Sequence, residues 1–136
     1  MEKLKIGFIC VHNSCRSIIA EGICREKYGD IFDVYSGGTE KYDAPKPSAL
    51  KVLKDEYNIT GDFSSKLINT LPKLDIVITM GCNVNCPTLP SKYRYDFDID
   101  DPSGMDEFIF KLTAKIIELK IDILVRDIKN NKIVIK

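Results

Sequence analysis

The chain has 136 residues, of which 44% are hydrophobic and 29% charged, and its 20 basic and 20 acidic side chains cancel to a formal net charge of zero. This length and composition are typical of one globular domain with a sizeable core, so we predict one domain over 1–136, with an uncertain tail at 128–136. Zero net charge and scattered Lys and Arg argue against binding of nucleic acid or an anionic membrane. No segment approaches the roughly 20 apolar residues of a membrane span.

The first residues and the cysteine count bear on the cellular compartment in which the protein is expected. Residues 1–5 lead straight into an apolar run, without the hydrophobic core and cleavage site of a signal peptide. Five cysteines are an odd number for a secreted disulfide scaffold. We therefore expect a cytoplasmic protein, in which clustered cysteines more often indicate catalysis or metal binding than structural bridges.

Apolar runs and helical periodicities alternate along the chain. Strands are predicted at 4–10, 32–36, 75–80 and, more weakly, 93–97. The run 4–10 is almost continuously apolar, as expected of a central parallel strand that is buried on both faces. Strands that alternate with helices predict an α/β fold with a parallel sheet and right-handed crossovers.

Four helices are predicted between and after these strands, at 17–28, 48–57, 64–71 and about 105–127. The last is long and amphipathic. Its predicted apolar face consists of Phe108, Leu112, Ile116, Leu119 and Ile123. The final residues 130–136 have strand-like character, and the sequence leaves open whether they form an edge strand or a frayed end.

The most informative motif is the segment 10–17, in which Cys10 and Arg16 are separated by five residues where the first strand gives way to a helix. Its backbone N–H groups can surround a tetrahedral oxyanion, and the following helix adds its positive N-terminal end. Arg16 can clamp two oxygens, Cys10 is expected to be a nucleophilic thiolate near neutral pH, and the Ser17 hydroxyl can donate to that sulfur. The predicted oxyanion-binding residues are Val11, His12, Asn13, Ser14, Cys15 and Arg16. The motif therefore predicts thiolate attack on an oxyanion.

A general acid for the departing oxygen is predicted in the acidic run that precedes Pro102. Asp101 is our candidate, provided that partial burial and the facing anion raise its pKa. The alternative is a solvated acidic turn that caps the last helix. Ligand sites in open α/β sheets lie beyond the carboxyl ends of the strands, which places Asp101 on the same rim as Cys10.

A second cysteine cluster follows the third predicted strand: Cys82 and Cys86 are separated by three residues. The pair could form a redox-active disulfide, pack as two small buried side chains, or supply half of a zinc site. Zinc is disfavoured because the only histidine, His12, belongs to the anion loop, and we predict no metal site. Proximity to the Cys10 rim favours the redox interpretation.

Together these motifs resemble the low-molecular-weight tyrosine phosphatase superfamily, and most closely its thioredoxin-coupled arsenate reductase branch, from residue 3 to about 125. The matching segments are 10–17, Ala-Glu-Gly at 20–22, Tyr-Ser-Gly-Gly at 35–38 and Asp-Pro at 101–102. The resemblance implies a three-layer α/β sandwich around a four-stranded parallel sheet of order 2-1-3-4. It also implies that Cys10 is the nucleophile, Arg16 the oxyanion clamp, Ser17 the thiolate stabiliser and Asp101 the acid.

Two features favour the reductase branch. Ser103 and Gly104 follow the Asp-Pro pair, where tyrosine phosphatases of this type usually carry adjacent tyrosines. Cys82 and Cys86 match the reductases' cysteine pair, although the spacing here is shorter than is usual in that branch. The implied activity is reduction of arsenate to arsenite through a Cys10/Cys82/Cys86 disulfide relay. The alternatives are a phosphatase for phosphotyrosine or small aryl phosphates, and a non-catalytic oxyanion or redox sensor.

The resemblance also bears on cofactors and partners. Some reductases bind a potassium ion near the anion loop, and Asn13, Glu21 and Ser36 match that site, but residues 64–66 (Ser-Ser-Lys) stand where an acidic partner is expected. We therefore predict no required cofactor. The expected partners are an arsenate- or phosphate-type oxyanion and thioredoxin or a similar reductant, and the expected assembly is a monomer.

Overall fold

A computed structural model of the chain describes residues 3–13, 15–40, 44–81 and 91–132. The predicted cysteine pair at 82 and 86, the loop residue Ser14 and the last part of the strand-like tail lie outside these ranges. None of the helices in the described ranges has the length and apolar character needed to cross a membrane.

The described strands form one parallel sheet. They are β1 (Leu4–Cys10), β2 (Phe32–Gly38), β3 (Ile76–Thr79) and β4 (Tyr93–Asp96), in the order β2-β1-β3-β4. The predicted parallel sheet and its order are thus confirmed. β1 is central because its apolar side chains alternate between two cores: Ile6 and Phe8 point into the larger one, and Ile9 into the smaller one.

The helices are α1 (Arg16–Tyr28), α2 (Pro47–Tyr57) and α3 (Glu107–Lys129). All three contact one another, and their buried residues share the larger core. On the opposite face of the sheet, Ile68 and Leu71 pack against Ile9, Leu74 and Val77. The carboxyl ends of the strands, where Cys10 lies, remain at one edge of this arrangement.

The helix predicted over 64–71 is wrong, since only a short 3₁₀ turn forms there, at Ile68–Thr70. The backbone of Lys66 explains the difference. Its carbonyl accepts a hydrogen bond from the Gly38 N–H at 2.7 Å, and its own N–H donates to Asn13 Oδ1 at 2.8 Å. These groups are committed to long-range partners and cannot serve a local helix.

The long final helix forms as predicted, but its core face differs from the expected one. The five residues predicted to form its apolar face do lie on one side, yet all are exposed. The residues that face the core are Phe110, Thr113, Ala114, Ile117, Ile121, Leu124 and Val125. The helix carries two apolar stripes with the same period, and periodicity alone does not tell which of them packs on the sheet.

Candidate active site

The loop between β1 and α1 is held against β2 by close backbone packing. Asn13 has a left-handed backbone (φ 53°), a conformation that asparagine tolerates better than most residues, and its side chain is fully buried. Gly38 at the end of β2 lets the loop approach, because a Cβ there would lie 2.6 Å from the Val11 carbonyl oxygen. The lack of a side chain at Gly38 therefore leaves room for the loop to curl over the end of β2.

The Cys10 sulfur lies at the floor of this loop, where two donors surround it. The Asn13 N–H donates to Sγ at 3.3 Å, and Ser17 Oγ lies 2.9 Å from Sγ. Asn13 Oδ1 accepts from the Lys66 N–H, so its amide nitrogen faces Ser17 and donates to Ser17 Oγ at 2.8 Å. Because Ser17 Oγ already accepts that bond, its own hydrogen is available for the sulfur. Among the described residues, two hydrogen-bond donors thus converge on one buried sulfur, and both would stabilise negative charge on it.

Arg16 is fixed by backbone carbonyls of two other segments. Its Nη1 donates to the Met80 carbonyl at 2.7 Å and to the Ile99 carbonyl at 2.8 Å. Nε and Nη2 carry the remaining donors of the guanidinium. Gly81 (φ 92°) is needed beside it, because a Cβ there would lie 2.7 Å from the Ile99 oxygen and 3.3 Å from Nη1. The clamp is thereby positioned before any ligand arrives.

Cys10, Arg16 and Asp101 meet at one cavity of about 450 Å³. Its lining residues are Cys10, Val11, His12, Cys15, Arg16, Lys46, Asp101 and Ser103. Sequence reasoning had not assigned Lys46 or Ser103 to this site. Neither carries a local signal, because Lys46 is a loop residue between two prolines and Ser103 lies in a turn.

Asp101 faces opposing influences on its protonation. Burial raises its pKa, but the Ser103 backbone N–H, which donates to Oδ1 at 3.0 Å, the Ser103 hydroxyl and the cations Arg16 and Lys46 outweigh burial. The net pKa is therefore lowered, opposite to the sequence-based expectation of a raised value. The negative charge of an oxyanion in the cavity would act in the other direction and favour the protonated acid.

The other described cysteines are protonated thiols. Burial is the main cause that raises the pKa of Cys15 to about 12, and the negative charge of Asp101 adds to it. Burial likewise raises the pKa of Cys24, within α1, to about 12. Neither serves as a second nucleophile at neutral pH, and Cys15 contributes to the cavity only as a wall.

The short segment before Cys82 is tied to β4. Asp96 Oδ1 accepts hydrogen bonds from Thr79 Oγ1 at 2.5 Å and from the Gly81 N–H at 3.0 Å. Together with the Arg16 bond to the Met80 carbonyl, these contacts fix residues 79–81 at the rim of the cavity. Cys82 therefore follows a fixed backbone that is directly bonded to the oxyanion clamp.

The three residues that match a potassium site are engaged by protein donors instead. The Lys66 ammonium lies 3.7 Å from Glu21 Oε1, and the Ser36 hydroxyl donates to the same oxygen. The Arg25 guanidinium lies 2.8 Å from Glu21 Oε2, and Asn13 Oδ1 accepts the Lys66 N–H. An alkali cation bound here would have to compete with the Lys66 ammonium and the Arg25 guanidinium for the buried Glu21 carboxylate.

With this geometry in place, comparison with known proteins is decisive for the family. The family model for low molecular weight phosphotyrosine protein phosphatase matches residues 5–134. The chain belongs to this low molecular weight phosphatase family.

Two relatives that are similar to this chain in sequence are named arsenate reductases. Arsenate reductase 1 of Staphylococcus epidermidis is 40% identical over 111 residues, which cover 78% of this chain and 83% of the relative. The arsenate reductase of Staphylococcus xylosus is 35% identical over 127 residues, which cover 90% of this chain and 96% of the relative. Both alignments extend over most of each chain.

Solved structures of low molecular weight phosphatases and reductases share this fold. An arsenate reductase in a phosphate-binding state matches with a TM-score of 0.81 and 28% identity, over 93% of this chain and 99% of that one. A low molecular weight protein tyrosine phosphatase from T. tengcongensis matches with a TM-score of 0.79 and 26% identity, over 93% and 100%. A thioredoxin-dependent arsenate reductase of Corynebacterium glutamicum matches with a TM-score of 0.74 and 28% identity, over 95% of this chain and 63% of that one.

Proposed function

We propose that this member of the low molecular weight phosphatase family reduces arsenate to arsenite, with residues 1–136 acting as one catalytic domain. The observation that carries the proposal is the convergence of the Cys10 sulfur and its two donors with Arg16 and Asp101 on one cavity. Arsenate reductases with 35–40% identity over most of the chain support arsenate as the substrate.

The first step joins the substrate to the enzyme. The Cys10 thiolate attacks arsenic(V), which is held by the loop N–H groups and the remaining Arg16 donors. Asp101 gives its proton to the departing oxygen, which leaves as water, and a Cys10–arsenic(V) bond forms. No electron has yet moved between sulfur and arsenic.

Reduction follows through the cysteine pair. The Cys82 thiolate attacks the Cys10 sulfur, the sulfur–arsenic bond breaks, and its electron pair stays on arsenic, which leaves as arsenite. Cys86 then attacks Cys82, frees Cys10 as a thiolate and leaves a Cys82–Cys86 disulfide. The dithiol of thioredoxin or a similar reductant reduces that disulfide, so two electrons enter for each arsenate consumed.

The test is arsenite production by the full chain with thioredoxin, thioredoxin reductase and NADPH. We expect one NADPH to be consumed for each arsenite formed, and no consumption in the arsenate-free control. NADPH consumption without arsenite, or no consumption above the control, would refute arsenate reduction.

A phosphatase activity on small aryl phosphates is the second candidate, since Cys10, Arg16 and Asp101 suffice for it. Family membership and the structural likeness to a tyrosine phosphatase favour this candidate. The same loop would hold the phosphoryl group while it moves to the Cys10 sulfur, Asp101 would protonate the departing ester oxygen so that it leaves as an alcohol, and water would then release the phosphate from the sulfur. Both activities share the first step and differ in whether the cysteine pair is required.

The pH dependence of ester hydrolysis tests the role of Asp101. Ser103→Ala removes a hydroxyl that stabilises the ionised carboxylate, so the pKa of Asp101 rises. A general acid works in its protonated form, and the alkaline limb of kcat for phenyl phosphate should therefore move to higher pH. Ser91→Ala, two residues before β4 and outside the cavity lining, is the matched control with an unchanged profile. A Ser103→Ala profile that is unchanged or moves to lower pH would contradict this assignment.

The Lys66–Glu21 pair leads to a prediction about salt. If the ammonium permanently neutralises Glu21, arsenate turnover should be equal in potassium chloride and sodium chloride at the same ionic strength. Lys66→Ala keeps the backbone N–H that binds Asn13 but removes one of the two cations beside the buried Glu21 carboxylate, and we expect slower turnover because Arg25 alone then faces that charge. Selective stimulation of the unmodified chain by potassium would show that the site binds the ion after all.

A further inference from the structure

An apolar face on α3 is left largely exposed by the described part of the chain. It consists of Met105, just before the helix, and Phe108, Leu112, Ile116, Leu119 and Ile123, and we call it the outer face of α3. These side chains are between 39% and 65% exposed. The neighbouring edge strand β4 adds Tyr95, which is 52% exposed. Scattered apolar side chains are normal on a surface, but a continuous row along about four turns of one helix is not.

The size of this face is close to half of a stable protein interface. With these fractions exposed, the seven side chains leave roughly 600 Å² of apolar surface in water, the upper end of what a monomer usually shows. A symmetric contact that covers the face on two copies would bury roughly 1,200 Å², which reaches the range of specific interfaces.

Five charged side chains of α3 turn away from the outer face, because they bind to α1 and α2. Glu118 and Asp122 bind Lys27 of α1, at 3.1 and 2.8 Å. The Lys115 ammonium lies over the Tyr57 ring of α2, 5.0 Å from its centre. Two further ion pairs connect α3 to α2, Lys51–Glu107 and Lys111–Glu56. Another apolar helix can therefore approach without displacing these contacts to α1 and α2.

The spacing of the outer face is self-complementary. An antiparallel copy whose two-fold axis passes near residue 114 places Leu112 opposite Ile116 of the other copy. The same register places Phe108 opposite Leu119 of the other copy. It also places Ile123 opposite the start of the other copy's α3, close to Met105. Each apolar side chain meets another apolar side chain, as an isologous contact requires.

We propose that a second copy of this chain covers the outer face of α3, so that two α3 helices pack antiparallel in a symmetric dimer. This replaces the monomer expected from the sequence and does not depend on the proposed reaction. The site cavity lies at the strand ends, and none of its lining residues belongs to the outer face.

The test is the solution mass by light scattering after size exclusion, over a concentration series with a reductant that prevents intermolecular disulfides. We expect the unmodified chain to have twice the mass of one chain, and Leu119→Glu and Ile116→Glu to have the mass of one. Thr60→Glu adds the same charge on an exposed loop and should remain dimeric. Circular dichroism and ester hydrolysis show whether each variant is folded.

Three results would overturn the proposal. The first is an unmodified chain that stays monomeric at every concentration. The second is a dimer that persists in the Leu119→Glu, Ile116→Glu double variant, which would place the interface elsewhere. The third is a chain that becomes dimeric only after residues 133–136 are removed, which would identify the tail as the segment that covers this face.

Discussion

Replacing Cys10 by serine should abolish both arsenate reduction and phosphate ester hydrolysis, with a loss of kcat on the order of 10⁴ or more. A serine hydroxyl in the same position is not ionised near neutral pH, and the described residues within hydrogen-bond distance of Sγ, Asn13 and Ser17, act as donors to it rather than as bases. The oxyanion should still bind, because the loop N–H groups and Arg16 remain. We expect phosphate to raise the thermal unfolding temperature of the variant and of the unmodified chain by similar amounts.

Cys24→Ala is the matched control for this loss. Cys24 is a buried thiol within α1 and its pKa of about 12 keeps it protonated, so its removal should leave turnover unchanged. Arsenate or ester turnover by Cys10→Ser at a substantial fraction of the normal rate would show that another group is the nucleophile.

Cys86→Ser should produce about one arsenite per enzyme molecule and then stop. The variant retains Cys10 and Cys82, so the first two steps proceed and end in a Cys10–Cys82 disulfide. Cys10 is only 4% exposed at the floor of the loop, and an external dithiol needs direct access to a disulfide sulfur to reduce it. Rapid-quench measurement of arsenite should therefore show a burst without a steady phase.

The stalled state itself can be checked by thiol counting. After one turnover, Cys86→Ser should have lost two titratable thiols, and tryptic mapping should find Cys10 linked to Cys82. Ester hydrolysis by Cys86→Ser should be normal before arsenate is added and absent afterwards. Sustained multiple turnover with thioredoxin would refute the relay, even if arsenite is formed.

The sequence predicted the strand, the loop and the first helix of the site well because their determinants are local. The apolar run of β1 ends at Cys10, and only the five loop residues 11–15 separate Cys10 from Arg16 at the start of α1. The order of the strands could be predicted only through the family resemblance, because composition and periodicity do not specify which strands are neighbours.

The contacts that hold the site together could not be predicted in the same way. Arg16 bonds to carbonyls that are 64 and 83 residues away, and Asn13 bonds to Lys66, 53 residues away. Such pairs exist only in the folded chain, and they also explain the failed prediction at 64–71. The core face of α3 was missed for a different reason, since both of its stripes satisfy the helical period and only packing distinguishes them.

The most direct test of the account compares arsenate and an aryl phosphate ester on Cys82→Ala. Arsenite production with thioredoxin should fall to the enzyme-free level, while hydrolysis of the ester, which needs only the Cys10 loop and its acid, should continue at the normal rate. If Cys82→Ala still forms arsenite over many turnovers, electrons reach arsenic without this cysteine, and the account is contradicted.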